Sequence, residues 1–106
     1  DDLDAVATHL LARDAGMPVG TARLLVAGDT GKIGRVCVLK TARGAGLGAA
    51  LIRAAVTAFR GMPGITEVKL GAQTHALGFY ERLGFAATGP EYIDAGIPHR
   101  DMVLRL

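Results

Sequence analysis

Cysteine, net charge and long apolar runs are all scarce in this 106-residue sequence, and each scarcity excludes a class of protein. The one cysteine, Cys37, cannot form a disulfide within the chain, so we interpret it as a small core residue and expect a reducing, cytoplasmic compartment. Lys and Arg number 12 against 10 Asp and Glu, and a net charge of +2 argues against a nucleic-acid binder. The longest apolar stretch, residues 47–59, is broken by Arg53 and is too short to span a membrane.

The length of the chain predicts one domain over residues 1–106. Half of the residues are hydrophobic, which is enough for one core in a chain of this size. No repeat, linker, low-complexity tract or signal peptide is visible. Because the first residue is Asp1 rather than Met, we expect that the natural N-terminus lies further upstream.

Short runs of strand-forming residues are separated by turn residues along the chain. The first three runs predict an antiparallel meander, with hairpin chemistry at residues 28–31. The period then changes to that of a mostly buried helix over residues 46–62, and a short helix capped by Thr74 precedes a left-handed stop at Gly84. The predicted strands are residues 5–13, 19–27, 33–39, 66–72, 85–93 and 102–106. The order β-β-β-α-β-α-β-β predicts an α+β fold with a mixed sheet.

A glycine-rich turn lies between the third strand and the first helix. Its sequence is Arg43-Gly44-Ala45-Gly46-Leu47-Gly48-Ala49. The first N–H groups of a helix lack intrahelical partners and carry partial positive charge, so they can bind a phosphate. Glycines let the backbone approach such an anion closely, and Arg43 adds a charged donor. The turn therefore predicts an anion site.

The same turn has a second interpretation. Residues 44–49 fit G-x-G-x-x-A, the dinucleotide-binding pattern, and Glu67 lies about 20 residues further on. However, Glu67 opens its strand instead of closing it, and a three-stranded meander precedes the turn. Both features disfavour a dinucleotide site.

At this turn the sequence resembles the GNAT family of acyl-CoA-dependent N-acyltransferases, whose motif Q/R-x-x-G-x-G/A matches residues 43–48. A second family segment, N-x-x-A-x-x-F/L-Y-E-x-x-G-F, resembles residues 73–85, with Gln73 in place of Asn. The tail at residues 95–102 looks like the G-I-P-H-x-x-M signature of the ElaA-like branch. The family usually begins with another strand and one or two helices, which this chain lacks.

The resemblance implies a GNAT-like fold, a mostly antiparallel sheet with helices on both faces. It also implies that an acetyl group passes directly from acetyl-CoA to a primary amine, without a metal. We expect a small-molecule acceptor, and amino sugars, polyamines, antibiotics, amino acids and protein N-termini all remain open. Tyr80 matches the family's usual proton donor to the leaving thiolate. The pantetheine arm would lie along Val36, Cys37 and Val38, and Gln73 matches a position that often contacts that arm.

The general base is not evident, because the strand before the turn carries Arg35 and Cys37 but no acid. His75 and His99 are candidates for the base, and a water-mediated base, or none beyond bulk water, is the alternative. Arg35, His75 and His99 are the candidates for an acceptor-site role, and for each of them a structural role remains the alternative. A catalytically weak acyl-CoA-binding or sensor module is the alternative function. Residues 5–13 would form an exposed sheet edge, so we expect upstream residues or a second subunit to cover them. We also expect that this 106-residue chain binds CoA but acetylates amines poorly until upstream residues are restored.

Overall fold

The computed structural model describes residues 8–14, 17–38 and 46–106. They form six strands and two helices, with a short 3-10 turn at Thr74–Ala76 before the second helix. The elements are β1 (Thr8–Asp14), β2 (Met17–Ala27), β3 (Thr30–Val38), α1 (Leu47–Arg60), β4 (Glu67–Gln73), α2 (Leu77–Glu81), β5 (Ala86–Asp94) and β6 (Ile97–Arg105).

The strands form one sheet in the order β1-β2-β3-β4-β6-β5. Neighbouring strands are antiparallel except for β3 and β4, which run parallel on either side of the α1 crossover. This arrangement confirms the predicted α+β class and the mixed, mostly antiparallel sheet. The meander β1-β2-β3 is also confirmed, and β1 lies at the edge of the sheet formed by the described strands.

The hairpin between β2 and β3 closes over two residues, as the sequence predicts. Ala27 pairs with Thr30, and Gly28 adopts φ +62°, which glycine tolerates without steric cost. Immediately after this turn, the Thr30 hydroxyl donates a hydrogen bond of 3.1 Å to Oε1 of Glu67 at the start of β4. The backbone N–H of Thr66 also donates to the carbonyl oxygen of Asp29, at 2.8 Å. The starts of the parallel strands are therefore tied together.

Helix α1 presents an apolar surface to the sheet. Its exposed residues include Arg53, Thr57 and Arg60, whose i, i+4, i+7 spacing forms a polar stripe, while Phe59 and Ile52 are fully buried. These two side chains pack with Leu24, Val68 and Met102 from the sheet in one apolar core. The helix ends at Arg60, two residues before the predicted end, because Gly61 serves as its C-cap.

Two local predictions are wrong. Thr74 does not cap a helix through its side chain. It lies inside the 3-10 turn, and the residue before that turn, Gln73, is extended. Strand β6 begins at Ile97, five residues before the predicted start. A two-residue turn with positive φ at Ala95 and Gly96 pairs Asp94 with Ile97, so the ladder continues to the turn.

The packing of Gly31 against Phe59 gives a test of the core. A methyl group at Gly31 would lie 2.5 Å from the Phe59 ring, which is fully buried and cannot move into solvent. We expect Gly31→Ala to lower the free energy of unfolding by about 1–3 kcal/mol, the usual cost of overpacking. Denaturant titration measures this change. Gly34→Ala, in the same strand with no atom within 4 Å of its added methyl, is the matched control and should be neutral or mildly stabilising. Equal stability of the two variants would contradict this account of the core.

Candidate functional site

A cavity of about 510 Å³ opens where β3 and β4 separate. Their parallel ladder consists of four pairs and ends at Ile33 and Leu70. The strands then diverge, and residues from both sides of the gap line the cavity: Ile33, Gly34 and Val36 from β3, and Leu70, Gly71 and Gln73 from β4. A volume of this size lies within the range of small-molecule sites.

Strand β3 carries an irregularity beside this gap. Gly34 pairs with Arg23 and Cys37 pairs with Thr21, so β3 has one more residue than β2 in this stretch. Such a bulge bends a strand away from its regular course. Beyond Ile33, β3 has no strand partner on its β4 side among the described residues. Its backbone groups on that side can therefore pair with an extended ligand.

Tyr80 of α2 also lines the cavity. Its ring contacts Phe79 and Phe85 edge-on, with centroids 5.0 Å and 6.1 Å away. Its carbonyl oxygen accepts hydrogen bonds from the N–H groups of Leu83 and Phe85. Burial raises the pKa of the Tyr80 phenol above its ordinary value, because removal from water disfavours the phenolate. The phenol is therefore protonated at neutral pH and can act as a proton donor.

The hairpin of β5 and β6 supplies the polar wall of the cavity through Tyr92, Asp94 and His99. The Tyr92 hydroxyl donates to Oδ1 of Asp101 at 2.9 Å, and the Tyr92 ring stacks on His99 with centroids 5.8 Å apart. A methyl group on Gly71 would lie 2.5 Å from the Tyr92 hydroxyl oxygen. Glycine at position 71 therefore leaves room for this tyrosine.

The hydrogen-bond partner of His99 shows which of its ring nitrogens carries a proton. Nδ1 lies 2.7 Å from the carbonyl oxygen of Ile97. A carbonyl oxygen can only accept, so Nδ1 carries the proton and donates. In the neutral ring the other nitrogen, Nε2, is then an acceptor.

The N-terminus of α1 has the form expected of an anion site. Gly46 is the N-cap with φ +75°, and no atom of the described residues lies within 4 Å of the position its Cβ would occupy. Among the described residues, no side chain caps this end, and the first turn has no acidic residue. The N–H groups of Leu47, Gly48 and Ala49 precede the first helical hydrogen bond, which Ala50 donates to Gly46.

The sequence of residues 3–106 matches the acetyltransferase (GNAT) domain family. The chain belongs to the GNAT family. A candidate acetyltransferase of Bacillus subtilis (strain 168) is 42% identical over 99 residues, which are 93% of this chain and 67% of that protein. Two solved structures are similar to this chain. The sequence of an acyl-CoA N-acyltransferase from Pseudomonas aeruginosa is 36% identical, and its crystal structure superposes with a TM-score of 0.84. For Escherichia coli ElaA the sequence identity is 30% and the TM-score is 0.83. Each of these two alignments covers 92% of this chain and 68% of the other.

Three conclusions follow for this GNAT chain. The resemblance to the ElaA-like branch is confirmed, the fold is that of GNAT proteins, and the family makes the chain an acyltransferase. The chain spans about two thirds of the length of the relatives it matches.

The structure brings some of the predicted site residues together. Val36, Gln73, Tyr80 and His99 line the cavity, whereas His75 is exposed in the 3-10 turn and is not a lining residue. Cys37, Val38 and Arg35 belong to β3. Gly46, Leu47, Gly48 and Ala49 form the start of α1, while Arg43, Gly44 and Ala45 fall outside the described residues. The roles of all of these residues stay predictions.

Sequence reasoning missed Gly71, Tyr92, Asp94 and Asp101. The available signal was alternation: Tyr92 and Asp94 are two residues apart on β5, and His99 and Asp101 are two apart on β6. Once the two segments pair as a hairpin, period-2 spacing places each pair on one face. The predicted strand began only at residue 102, so His99 and Asp101 lay outside it and their pairing with β5 was not predicted.

None of the helices in residues 46–106 is long and apolar enough to cross a membrane. No group of three or more His, Cys, Asp or Glu side chains in the described part of the chain could hold a metal ion.

The two tyrosines of this GNAT chain give a test of the site's electrostatics. Burial raises the pKa of Tyr80. The pKa of Tyr92 is also raised, first by partial burial and then by the hydrogen bond to Asp101 and the charges of Asp101 and Asp94. The chain has two tyrosines and no tryptophan, so tyrosinate absorbance reports these groups alone. We expect half-ionisation at a higher pH in the native chain than in the denatured chain, where it lies near pH ~10.

The same shifts fix the sign of the pH dependence of the free energy of unfolding. The folded state holds the two protons more tightly, so the stabilisation is present below pH ~10 and is lost as the pH rises through the folded pKa values. Tyr80→Phe and Tyr92→Phe should each remove one of the two tyrosine ionisations that occur above the ordinary pH in the native chain. Coincident native and denatured titration curves would refute the assignment.

Proposed function

We propose that this chain carries the acetyl-CoA site and the proton donor of an N-acetyltransferase that acts on a primary amine. The observation that carries the proposal is the cavity between the diverging strands β3 and β4, with a protonated Tyr80 in its wall. The open β4 side of β3 supports binding of an extended pantetheine arm beside Val36, Cys37 and Val38. Gln73 lines the cavity on the other side of the gap and can contact the same arm.

The pyrophosphate of CoA would bind at the start of α1. The uncapped N–H groups at Leu47, Gly48 and Ala49 and the left-handed Gly46 support this placement, because they leave donors and space for an anion. Residues 43–45 precede this helix end, and Arg43 would add a charged contact. We place the protein in the cytoplasm as part of the same proposal, on the basis of its single cysteine.

The thioester supplies an activated acetyl group with a thiolate leaving group. A thiol of this kind has a pKa near ~8.5, so a nearby donor assists its departure. Tyr80 fits this role, since its raised pKa keeps the phenol protonated at neutral pH, so that its O–H is available to donate to the departing sulfur. The acceptor would be a small-molecule amine that enters along the polar wall formed by the β5–β6 hairpin.

The phosphate site is tested by a methyl group at Gly46. Gly46→Ala places this methyl where no described residue lies within 4 Å, beside the first N–H groups of α1, where the pyrophosphate would approach. We expect at least a tenfold loss of CoA affinity, about 1.4 kcal/mol, measured by calorimetry. The wild-type chain should bind CoA and should not bind NAD.

Gly64→Ala is the matched control. Gly64 has φ +84° and, like Gly46, no atom within 4 Å of the added methyl, so both variants carry the same backbone strain of about 1–2 kcal/mol. Only Gly46→Ala should weaken CoA binding. Equal CoA affinity in the two folded variants would rule out the pyrophosphate site at α1.

The proton donor is tested by Tyr80→Phe, which keeps the ring contacts and removes the hydroxyl. We expect normal binding of acetyl-CoA and a single-turnover rate constant lower by about 10²–10⁴, the range for general acid catalysis. The assay follows CoA release from acetyl-CoA with spermidine, glucosamine, lysine and kanamycin as acceptors. A rate within about twofold of wild type would remove Tyr80 from the chemistry. Absence of transfer to all four amines, both by this chain and by a longer chain with its upstream residues restored, would contradict the function itself.

A further inference from the structure

The cavity contains four side chains that can exchange a proton: Tyr80, Tyr92, Asp94 and His99. Both tyrosines have raised pKa values and are therefore donors at neutral pH. The acceptor nitrogen must lose a proton as it becomes an amide, so the reaction also needs a base. His99 and Asp94 remain for that task.

The environments of these two residues differ. Asp94 is exposed and is the last residue of β5, next to the hairpin turn. His99 is half-buried within β6, opposite Gln73 of β4, and its ring is held by two contacts. Nδ1 donates to the Ile97 carbonyl oxygen at 2.7 Å, and the ring face stacks on Tyr92 with an angle of 21° between the planes. Only Nε2 is left without an assigned partner among the described residues, and in the neutral ring it carries the lone pair.

We infer that His99 is the general base of this acyltransferase and that Nε2 takes the proton from the acceptor amine. This inference rests on the proposed function. Tyr92 is a positioning residue, because it fixes the imidazole plane by stacking and is itself fixed by its hydrogen bond to Asp101. Gly71 belongs to the same arrangement, since a larger residue there would displace the Tyr92 hydroxyl.

The proton balance of the step is complete. The amine nitrogen forms a bond to the thioester carbonyl carbon, and one N–H proton passes to Nε2 of His99. The C–S bond breaks with its electron pair on sulfur, and Tyr80 donates its phenolic proton to the thiolate. His99 then releases its proton to water and Tyr80 recovers one from water, so no other reactant is required. Acid and base thus come from different elements, α2 and β6.

The test compares His99→Ala and His99→Asn with wild type, using acetyl-CoA and the best acceptor among spermidine, glucosamine, lysine and kanamycin. The asparagine amide can still donate to the Ile97 carbonyl, but it supplies no base. We expect both variants to bind CoA normally and to lose a factor of about 10²–10⁴ in the single-turnover rate. Added imidazole should raise the single-turnover rate of His99→Ala at least tenfold, because it supplies the missing base without changing the fold.

The outcomes separate the inference from the function. If wild type transfers acetyl groups and either variant stays within about threefold of it, the function stands and the base assignment fails. A loss that imidazole does not restore, or one that accompanies weaker CoA binding, also overturns the assignment. If neither this chain nor a longer chain with its upstream residues restored transfers to any of the four amines, the proposed function fails, and this inference fails with it.

The positioning role of Tyr92 has its own measurement. Tyr92→Leu removes the stacked ring and should lower kcat about tenfold, while the KM for acetyl-CoA stays unchanged. Tyr92→Phe keeps the ring and should recover most of that loss. If the leucine and phenylalanine variants behave alike, stacking does not orient His99.

Discussion

The site depends on the early end of the pairing between β3 and β4. Two parallel strands that continue side by side satisfy each other's backbone groups and leave no space between them. Here the ladder stops after Ile33 and Leu70, and the extra residue in β3 turns the strand away from its neighbour. The gap supplies the cavity and an unpaired backbone edge at the same place. The α1 crossover begins beyond the end of β3, so the helix N-terminus and the unpaired edge of β3 both follow from one chain path.

The fold could be predicted from the sequence because its signals are local. The turn at Gly28 and Asp29, the polar stripe on α1 and the left-handed Gly84 each depend on a few neighbouring residues. Two motifs in the right order then indicated the GNAT family, which the comparisons show. The errors at Thr74 and at the start of β6 arose where a local preference competed with pairing across the sheet.

The candidate site was less predictable, because its geometry comes from contacts between distant segments. Tyr80 and Gln73 stood within a motif, and His99 stood within another. Nothing local indicated that Tyr92 would stack on His99, or that Asp101 would hold the Tyr92 hydroxyl. These contacts exist only after β5 and β6 pair. Their register is shifted by a bulge between Thr88 and Tyr92, where Arg100 donates to the carbonyl oxygen of Gly89.

The tie between Thr30 and Glu67 lies at the opposite end of the β3–β4 pair from the cavity. The two strands are therefore joined at their starts, and they are not paired with each other beyond Ile33 and Leu70. The Thr66 N–H also bonds to Asp29 at the joined end, so two hydrogen bonds resist separation of the strands there. Ile33 and Leu70, the last paired residues, close the cavity on that side. A change in the width of the cavity is therefore expected at the unpaired end of the two strands.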